Sequence, residues 1–339
     1  MKILFIGGTG TISMAITRFL ALRGNELWLL NRGNRNAALP ENVRVINCDI
    51  SDEKSAAEKL GGMEFDCVGE FIGFVPSQLE RDFRLFNGKT KQFIYISSAS
   101  AYRKPMQGYK ITEETPLENP YWEYSRNKKA CEEYLLGLYR EDGFPVTIVR
   151  PSHTYDERSV PLGVHGKNGS WQVVKRIKEG KPVIIHGDGT SLWTITHNSD
   201  FAKAYAGLIG NPAAIGETFH ITSDESVSWN EIYGYIADTL GVQLKPYYVS
   251  SETLAVLGKD YDFTGSLIGD KACSVVFDNS KVKKLVPSFH AKMTAREGIR
   301  QTVEYVLAHP ECQRDDEEFD KWCDRVIEAA EKMKEDFNG

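Results

Sequence analysis

The chain has 339 residues, 41% hydrophobic and 26% charged, with a formal net charge of -6, enough to bury a full core as one large domain or two intimate ones. Between residues 311 and 339 eleven acids stand against five bases, a difference equal to the whole net charge; the body is therefore neutral, and no nucleic-acid partner is expected. No apolar run is long enough to suggest a membrane span, the N-terminus enters a strand instead of a charged leader, which favours the cytoplasm, and the six cysteines lack CxxC or Cys/His spacing, so incidental thiols are expected and no metal.

Residues 3–7 form a short apolar run that predicts a buried parallel strand, and residues 12–22 have the spacing of an amphipathic helix. The stretch MKILFIGGTGTIS thus places its glycines at a strand-to-helix turn. Gly7 can take backbone angles closed to other residues, and Gly10 removes a side chain where a pyrophosphate must approach the helix N-terminus. The third position of such a turn governs helix-to-strand packing, and Ser13 is a small change there that keeps the phosphate-binding part. A dinucleotide cradle is expected, with Thr9, Thr11 and Ile12 completing it; the alternative is a plain tight turn.

Residues 26–30 predict the second strand, followed by Asn31-Arg32-Gly33-Asn34-Arg35. An NAD-specific turn carries an acid there for the ribose hydroxyls, and none is present. Asn31 cannot repel a 2′-phosphate and Arg32 or Arg35 can clamp it, so NADP is favoured over NAD; the alternative is that these arginines are solvated loop charges. Further strands are predicted at 43–47, 66–72, 92–97 and 145–149, with helices near 52–60, 76–87 and 121–142. This is the rhythm of an α/β fold, a Rossmann-type doubly wound parallel sheet.

After Pro151 the pattern turns to glycine- and proline-rich loops, such as 160–169 and 186–190, and predicts a smaller substrate-covering region. The expected division is a dinucleotide-binding domain at 1–165, rejoined by about 197–225 through a strand at 217–221; a substrate region at 166–196 and 226–310; and an acidic C-terminal helix within 311–339. That helix carries Phe319, Trp322, Val326, Ala330, Met333 and Phe337 on one side, the pattern of a helix docked on the body.

Three positions carry the chemistry. The run FIYISSASAY puts Ser97 and Ser98 at the carboxyl end of the fifth strand, where open parallel sheets bind their ligands. Tyr124 and Lys128 follow four residues apart on a helix, hence on one face. A phenol with a reference pKa of about 10 is a poor base at neutral pH, but a nearby ammonium favours the phenolate. Ser98 would hold the substrate oxygen beside Tyr124 while hydride passes to or from a nicotinamide. Alone, each is ordinary: a surface pair on a helix, a double serine ending a strand. Their order and separation after the glycine turn favour catalysis.

The motifs GGTGTIS, CDISD at 48–52, the serine-rich strand, Tyr124/Lys128, VRPSHTY at 149–155, HGDGTSLWTITHNSDFA at 186–202 and FDNSK at 277–281 occur in one order. Over residues 1–305 the chain resembles the extended short-chain dehydrogenase/reductase family, also called NAD-dependent epimerase/dehydratase proteins. The resemblance implies that Asp49 and Ile50 lie near the adenine, Phe71, Ile72 and Gly73 near the nicotinamide ribose, and Pro151 against the nicotinamide, with Ser97 and His153 beside it. It also implies a homodimer through helices 76–86 and 122–139, where Leu79, Phe83, Leu135 and Leu138 are available.

Departures from the family pattern bear on substrate. Trp193 and Leu267 stand where sugar-nucleotide members carry arginines, so a nucleotide diphosphate lacks its charge-assisted contacts unless Arg158, Lys167 or Lys271 substitutes. Ala99 and Ser100 stand where dehydratases carry an Asp-Glu pair, which leaves reversible hydride transfer, as a dehydrogenase, reductase or epimerase. His153 and Trp193, the latter offering a flat apolar face to a ring, are the candidate contacts for a sugar, polyol or related small molecule, while His197, Tyr102, Tyr155 and Trp171 read more simply as structural residues. The competing readings are a sugar-nucleotide epimerase with other diphosphate contacts, and an NAD(P)-binding regulatory or RNA-binding protein without turnover.

Overall fold

The computed structural model describes residues 1–33 and 39–338. Seven strands, all parallel, form the central sheet: β1 (Lys2–Ile6), β2 (Glu26–Asn31), β3 (Arg44–Asn47), β4 (Cys67–Glu70), β5 (Phe93–Ile96), β6 (Val146–Pro151) and β7 (Thr218–Ile221). Their spatial order is β3-β2-β1-β4-β5-β6-β7, so the late strand β7 joins the sheet beside β6. The direction of winding reverses between β1 and β4, and their carboxyl ends open a crevice there.

Each strand of such a sheet is covered on both faces, which is why β1 reads as an unbroken apolar run. Ile3 and Phe5 pack with Ile16 and Leu20 of α1 (Thr11–Ala21) and with Phe201 and Tyr205 of the helix Asn198–Leu208. Leu4 and Ile6 face the other way, toward α2 (Glu53–Leu60), α3 (Pro76–Phe86) and α4 (Glu123–Asp142). Leu79 of α3 and Leu135 of α4, nominated for a dimer contact, are fully buried within this core, and Phe83 packs edge-on against Phe144 at 5.2 Å.

A second core lies beyond β6. It gathers Trp193, Trp229, Tyr233, Leu267, Ile299 and Phe319 from segments far apart in sequence. The C-terminal helix Glu317–Asn338 docks on it through Phe319, Trp322, Cys323 and Val326. Two of its acids, Asp320 and Asp324, each take a nitrogen of the buried Arg176 at 2.7 Å. The apolar stripe does not dock along its whole length, however: Met333 is 66% and Phe337 91% exposed. A helix of this length runs about 33 Å; its first half carries the apolar contact with the lobe, and beyond it Glu331 and Lys334 make polar contacts with Tyr247.

Phe319→Ala should therefore cost about 3–5 kcal/mol, the range for deleting a buried aromatic, whereas Phe337→Ala should stay within about 0.5 kcal/mol. Urea unfolding of both variants beside the parent chain measures the contrast.

Candidate active site

The glycine turn leaves β1 with Gly7 at φ +82°, and a Cβ added there would lie 2.5 Å from Ile72 Cγ2. Gly10 caps α1. Ser13 is more than a tolerated replacement for glycine: its Oγ accepts from Gly10 N at 2.9 Å and donates to Gly7 O at 2.7 Å. Two hydrogen bonds thus brace the turn from within. Thr17, one turn on, donates to Gly8 O at 3.0 Å.

In front of this turn lies a cavity of about 510 Å³ whose wall includes Thr9, Asn31, Arg32, Asp49, Ile50 and Arg81. Asn31 Oδ1 accepts from Gly33 N at 3.1 Å, while its Nδ2, buried, has no partner among the described residues. Asp49 is held below the usual carboxylate range by the backbone N–H and then the hydroxyl of Ser51, with Arg32 and Arg81 adding to the effect. A helix N-terminus behind glycines, an unpaired amide donor and two guanidinium groups fit a dinucleotide carrying several phosphates. Arg35 lies outside the described residues.

Some residues nominated for the cofactor turn elsewhere. Phe71 points into the core, with its ring 5.1 Å from Phe5 and 5.6 Å from Tyr205, because it follows the buried Glu70 on the opposite side of the strand. Ile12 packs against the same core. The Ser97 hydroxyl is spent on Glu132 Oε1, so its side chain is not free for a ligand. Ile72 does line the cavity, and so do Phe74, Gln78 and Arg81, which the sequence reading did not single out. Gln78 Oε1 accepts from Phe74 N at 2.6 Å, fixing the loop between β4 and α3.

Tyr124, Lys128 and Ser98 come together at the carboxyl ends of β5 and β6. Lys128 is 1% exposed, and its Nζ donates to Gly73 O at 2.7 Å and to Ile96 O at 2.8 Å. It lies 5.8 Å from the centre of the Tyr124 ring. Burial pulls the ammonium down to about 8, against the opposing influence of Glu70 and Glu132. Burial likewise raises the Tyr124 phenol, and the neighbouring Ser98 hydroxyl works in the other direction. One turn further along α4, Glu132 receives Arg150 of β6 at 2.9 and 2.6 Å, and Arg150 also reaches Tyr102 Oη at 3.1 Å. This pins the height of α4 against the strand that ends in Pro151.

A second cavity, of about 350 Å³, opens directly in front of Tyr124. Ser98, Pro151, His153, Trp193, Asp270 and Lys271 are among its walls. Trp193 is only 4% exposed and stacks on Trp229 with ring centres 5.6 Å apart. One face is thus covered by Trp229 where the sequence suggests an open one, and the buried Nε1 of Trp193 has no partner among the described residues. Leu267 is wholly inside the lobe core. Of the three cations named as replacements for the missing arginines, Arg158 is bound to Asp156 and Lys167 lies over the Tyr261 ring, whereas Lys271 lines the cavity. Tyr102, Tyr155 and Trp171 are core residues, and His197 caps a helix by accepting from Ser199 N.

Residues 3–222 match the model of the NAD dependent epimerase/dehydratase family. The chain belongs to this family. It is an enzyme of the extended short-chain dehydrogenase type by that membership. It is 24% identical over 292 residues to the 2'-dehydrokanamycin reductase of Streptomyces kanamyceticus, covering 86% of this chain and 81% of the reductase. It is 26% identical over 242 residues to the chloroplast stem-loop binding protein of 41 kDa b of Arabidopsis thaliana, covering 68% of this chain and 60% of that protein. In fold it is similar to the UDP-glucuronic acid 4-epimerase of Bacillus cereus, solved with UDP-glucuronic acid and NAD, with a TM-score of 0.71, 19% identity and coverage of 91% and 99% of the two chains. No helix among the described residues is long and apolar enough to cross a membrane.

In this epimerase/dehydratase family member the half-buried imidazole of His153, at the cavity wall, favours its neutral form: burial first, then the charges of Lys271 and His165, push its pKa down to about 3. The unfolded chain protonates this group near its ordinary value of 6.5. Its contribution to stability is therefore constant above that pH and is lost as pH falls toward 3. His153→Gln should gain about 1–2 kcal/mol relative to the parent chain between pH 7.5 and pH 5. Denaturation at the two pH values checks this; an unchanged difference would mean that the imidazole is not held neutral.

Proposed function

We propose that this family member transfers hydride between NADP and a secondary alcohol or ketone on a sugar, polyol or related small ring. The observation that carries the reading is the placement of Ser98 and Tyr124 in one wall of the second cavity, with the buried Lys128 Nζ 5.8 Å from the centre of the Tyr124 ring. When bound, the nicotinamide supplies or accepts the hydride.

The chain's own residues do the rest. Ser98 and Tyr124 Oη address the substrate oxygen, and Tyr124 gives it a proton in reduction or takes one in oxidation. The Lys128 ammonium, fixed by two carbonyls, favours the phenolate that Tyr124 becomes. Gly7, Thr9 and Gly10 would hold the pyrophosphate, Asp49 and Ile50 the adenosine, and Pro151 would back the nicotinamide. Ala99 and Ser100 offer no acid-base pair for eliminating water, which supports hydride transfer as the whole reaction.

The preference for NADP rests on Asn31, Arg32 and Arg81 in the cavity wall, with no acid at the end of β2. The preference for a substrate without a nucleotide rests on Trp193 and Leu267, both packed inward, and on a relative whose name, 2'-dehydrokanamycin reductase, carries no nucleotide.

Tyr124→Phe should lower turnover by at least a thousandfold with cofactor affinity nearly unchanged, and Lys128→Met should lower both. Stopped turnover with intact binding, by calorimetry, is the expected pair of results; equal turnover in Tyr124→Phe would refute the mechanism. Arg32→Ala should weaken NADP by about 1.5–3 kcal/mol, one charge-assisted contact, and leave NAD little changed. Titration of both cofactors measures it. For substrate, nicotinamide absorbance with 2-keto-myo-inositol, cyclohexanone and a keto-hexose should show reduction where UDP-glucose shows none. A chromatographic check for epimers accompanies the assay, since an epimerase leaves the cofactor balance unchanged. Preferred turnover of the UDP-sugar would make Lys271 the diphosphate contact and return the protein to the nucleotide-sugar branch.

A further inference from the structure

We propose that Ser100 and Ser125 form a proton relay joining Tyr124 to solvent in a separate cavity behind the first turn of α4. The inference rests on the oxidoreductase reading above and goes beyond it by naming the route of proton exchange.

The route is a row of three hydroxyls. Ser98 stands beside Tyr124 in the wall of the substrate cavity, Ser98 Oγ and Ser100 Oγ are 2.9 Å apart, and Ser125 Oγ donates to Ser100 Oγ at 2.9 Å. Ser98, Ser100 and Tyr124 line the substrate cavity, but Ser125 lines a different one, of about 630 Å³, together with Arg103, Lys104, Asn119, Arg126 and Lys129. The hydroxyls therefore pass through the wall between two cavities. The rear cavity meets solvent, since the Arg103 side chain is 26% and the Lys129 side chain 40% exposed. Ser100 and Ser125 are themselves buried, so the outer end of the row meets water only within the rear cavity, at Ser125.

The wall is held still. Asn119 Nδ2 donates to Ser100 O at 2.8 Å and to Gly269 O at 2.6 Å, which fixes the backbone of the central link. Ser98 Oγ also accepts from Ser100 N at 3.2 Å. The ammonium of Lys128 already gives two of its three hydrogens to backbone carbonyls. That leaves the serine row as a continuous set of exchangeable donors and acceptors running outward from Tyr124.

The proton count closes. In reduction, hydride from the nicotinamide adds to the carbonyl carbon and the Tyr124 proton moves to the carbonyl oxygen, giving the alcohol and a phenolate. Ser98 then donates to the phenolate, Ser100 to Ser98, Ser125 to Ser100, and a water of the rear cavity to Ser125. Every serine ends as it began, and one proton is drawn from solvent. Oxidation runs the same row outward. The observed donation from Ser125 to Ser100 is the polarity that inward delivery needs. An epimerase that returns its hydride has no net proton to exchange, so a relay of this kind serves a net reductase or dehydrogenase.

Ser125 acts through its neighbours and touches no substrate, so the test compares two side chains of one shape, Ser125→Thr with a hydroxyl and Ser125→Val without. With NADPH and 2-keto-myo-inositol, Ser125→Val should complete the first turnover at the parent rate, because Tyr124 starts protonated. It should then slow by tenfold or more in steady state, with a larger solvent deuterium isotope effect. Ser125→Thr should restore most of the steady-state rate. Equal steady-state rates in the Thr and Val variants would overturn the relay while leaving the Tyr124 mechanism intact. A first turnover slowed as much as the steady state would overturn it too, as the mark of a structural defect. Absence of hydride transfer by the parent chain to this ketone, cyclohexanone and the keto-hexose would overturn the oxidoreductase reading and the relay together.

Discussion

A single buried ammonium ties the candidate active site together. Lys128 stands on α4, but its hydrogens go to Ile96 at the end of β5 and to Gly73 in the loop after β4. Removing a charge from water is costly unless hydrogen bonds replace the lost solvent, and only strand ends offer carbonyls that the sheet ladder has not used. The lysine thus requires three segments to stay in one arrangement. Its depressed pKa, about 8, records the remaining cost of burial.

That arrangement needs a second fastening, since a helix held by one side chain can still slide. Glu132, one turn after Lys128, receives the Arg150 guanidinium from the strand that ends in Pro151, and Ser97 and Tyr102 complete the group. Such a buried pair contributes little net stability beside an apolar substitute, but it is strict about geometry. Here it sets the height of Tyr124 relative to Ser98 and Pro151. The second lobe then closes the site from the far side with groups that have few protein partners, the Trp193 Nε1 and the Lys271 Nζ among them. Much of the acidic excess near the C-terminus is used within the molecule: Arg176, Lys175 and Lys181 all meet acids of that segment.

The parts of the site legible in the sequence were those that depend on neighbours within one element. The glycine turn follows from a strand run into a helix, and Tyr124 and Lys128 share a helix face by spacing alone. Readings that failed lay at element ends. Phe71 was placed near the cofactor as part of a loop, yet strand alternation carries on past Glu70 and turns it into the core. Nothing local distinguishes the cavity-facing position of Arg81 on α3 from any other, nor that of Phe74 in the loop before it. Trp193 was read as an open face because its partner Trp229 is 36 residues away in sequence, on a helix whose packing only the fold decides.

Sequence by itself determined the doubly wound sheet, the place of the glycine turn and the pairing of Tyr124 with Lys128 on one helix face, because each is written in short-range periodicity and in residues with particular backbone or ionisation properties. Tertiary structure alone decided how Ser13 braces that turn, which hydroxyls line up behind Tyr124, and which aromatics and charges face the second cavity. Those are contacts between segments tens to hundreds of residues apart, where a side chain's role depends on which surface the packing of the whole chain leaves uncovered.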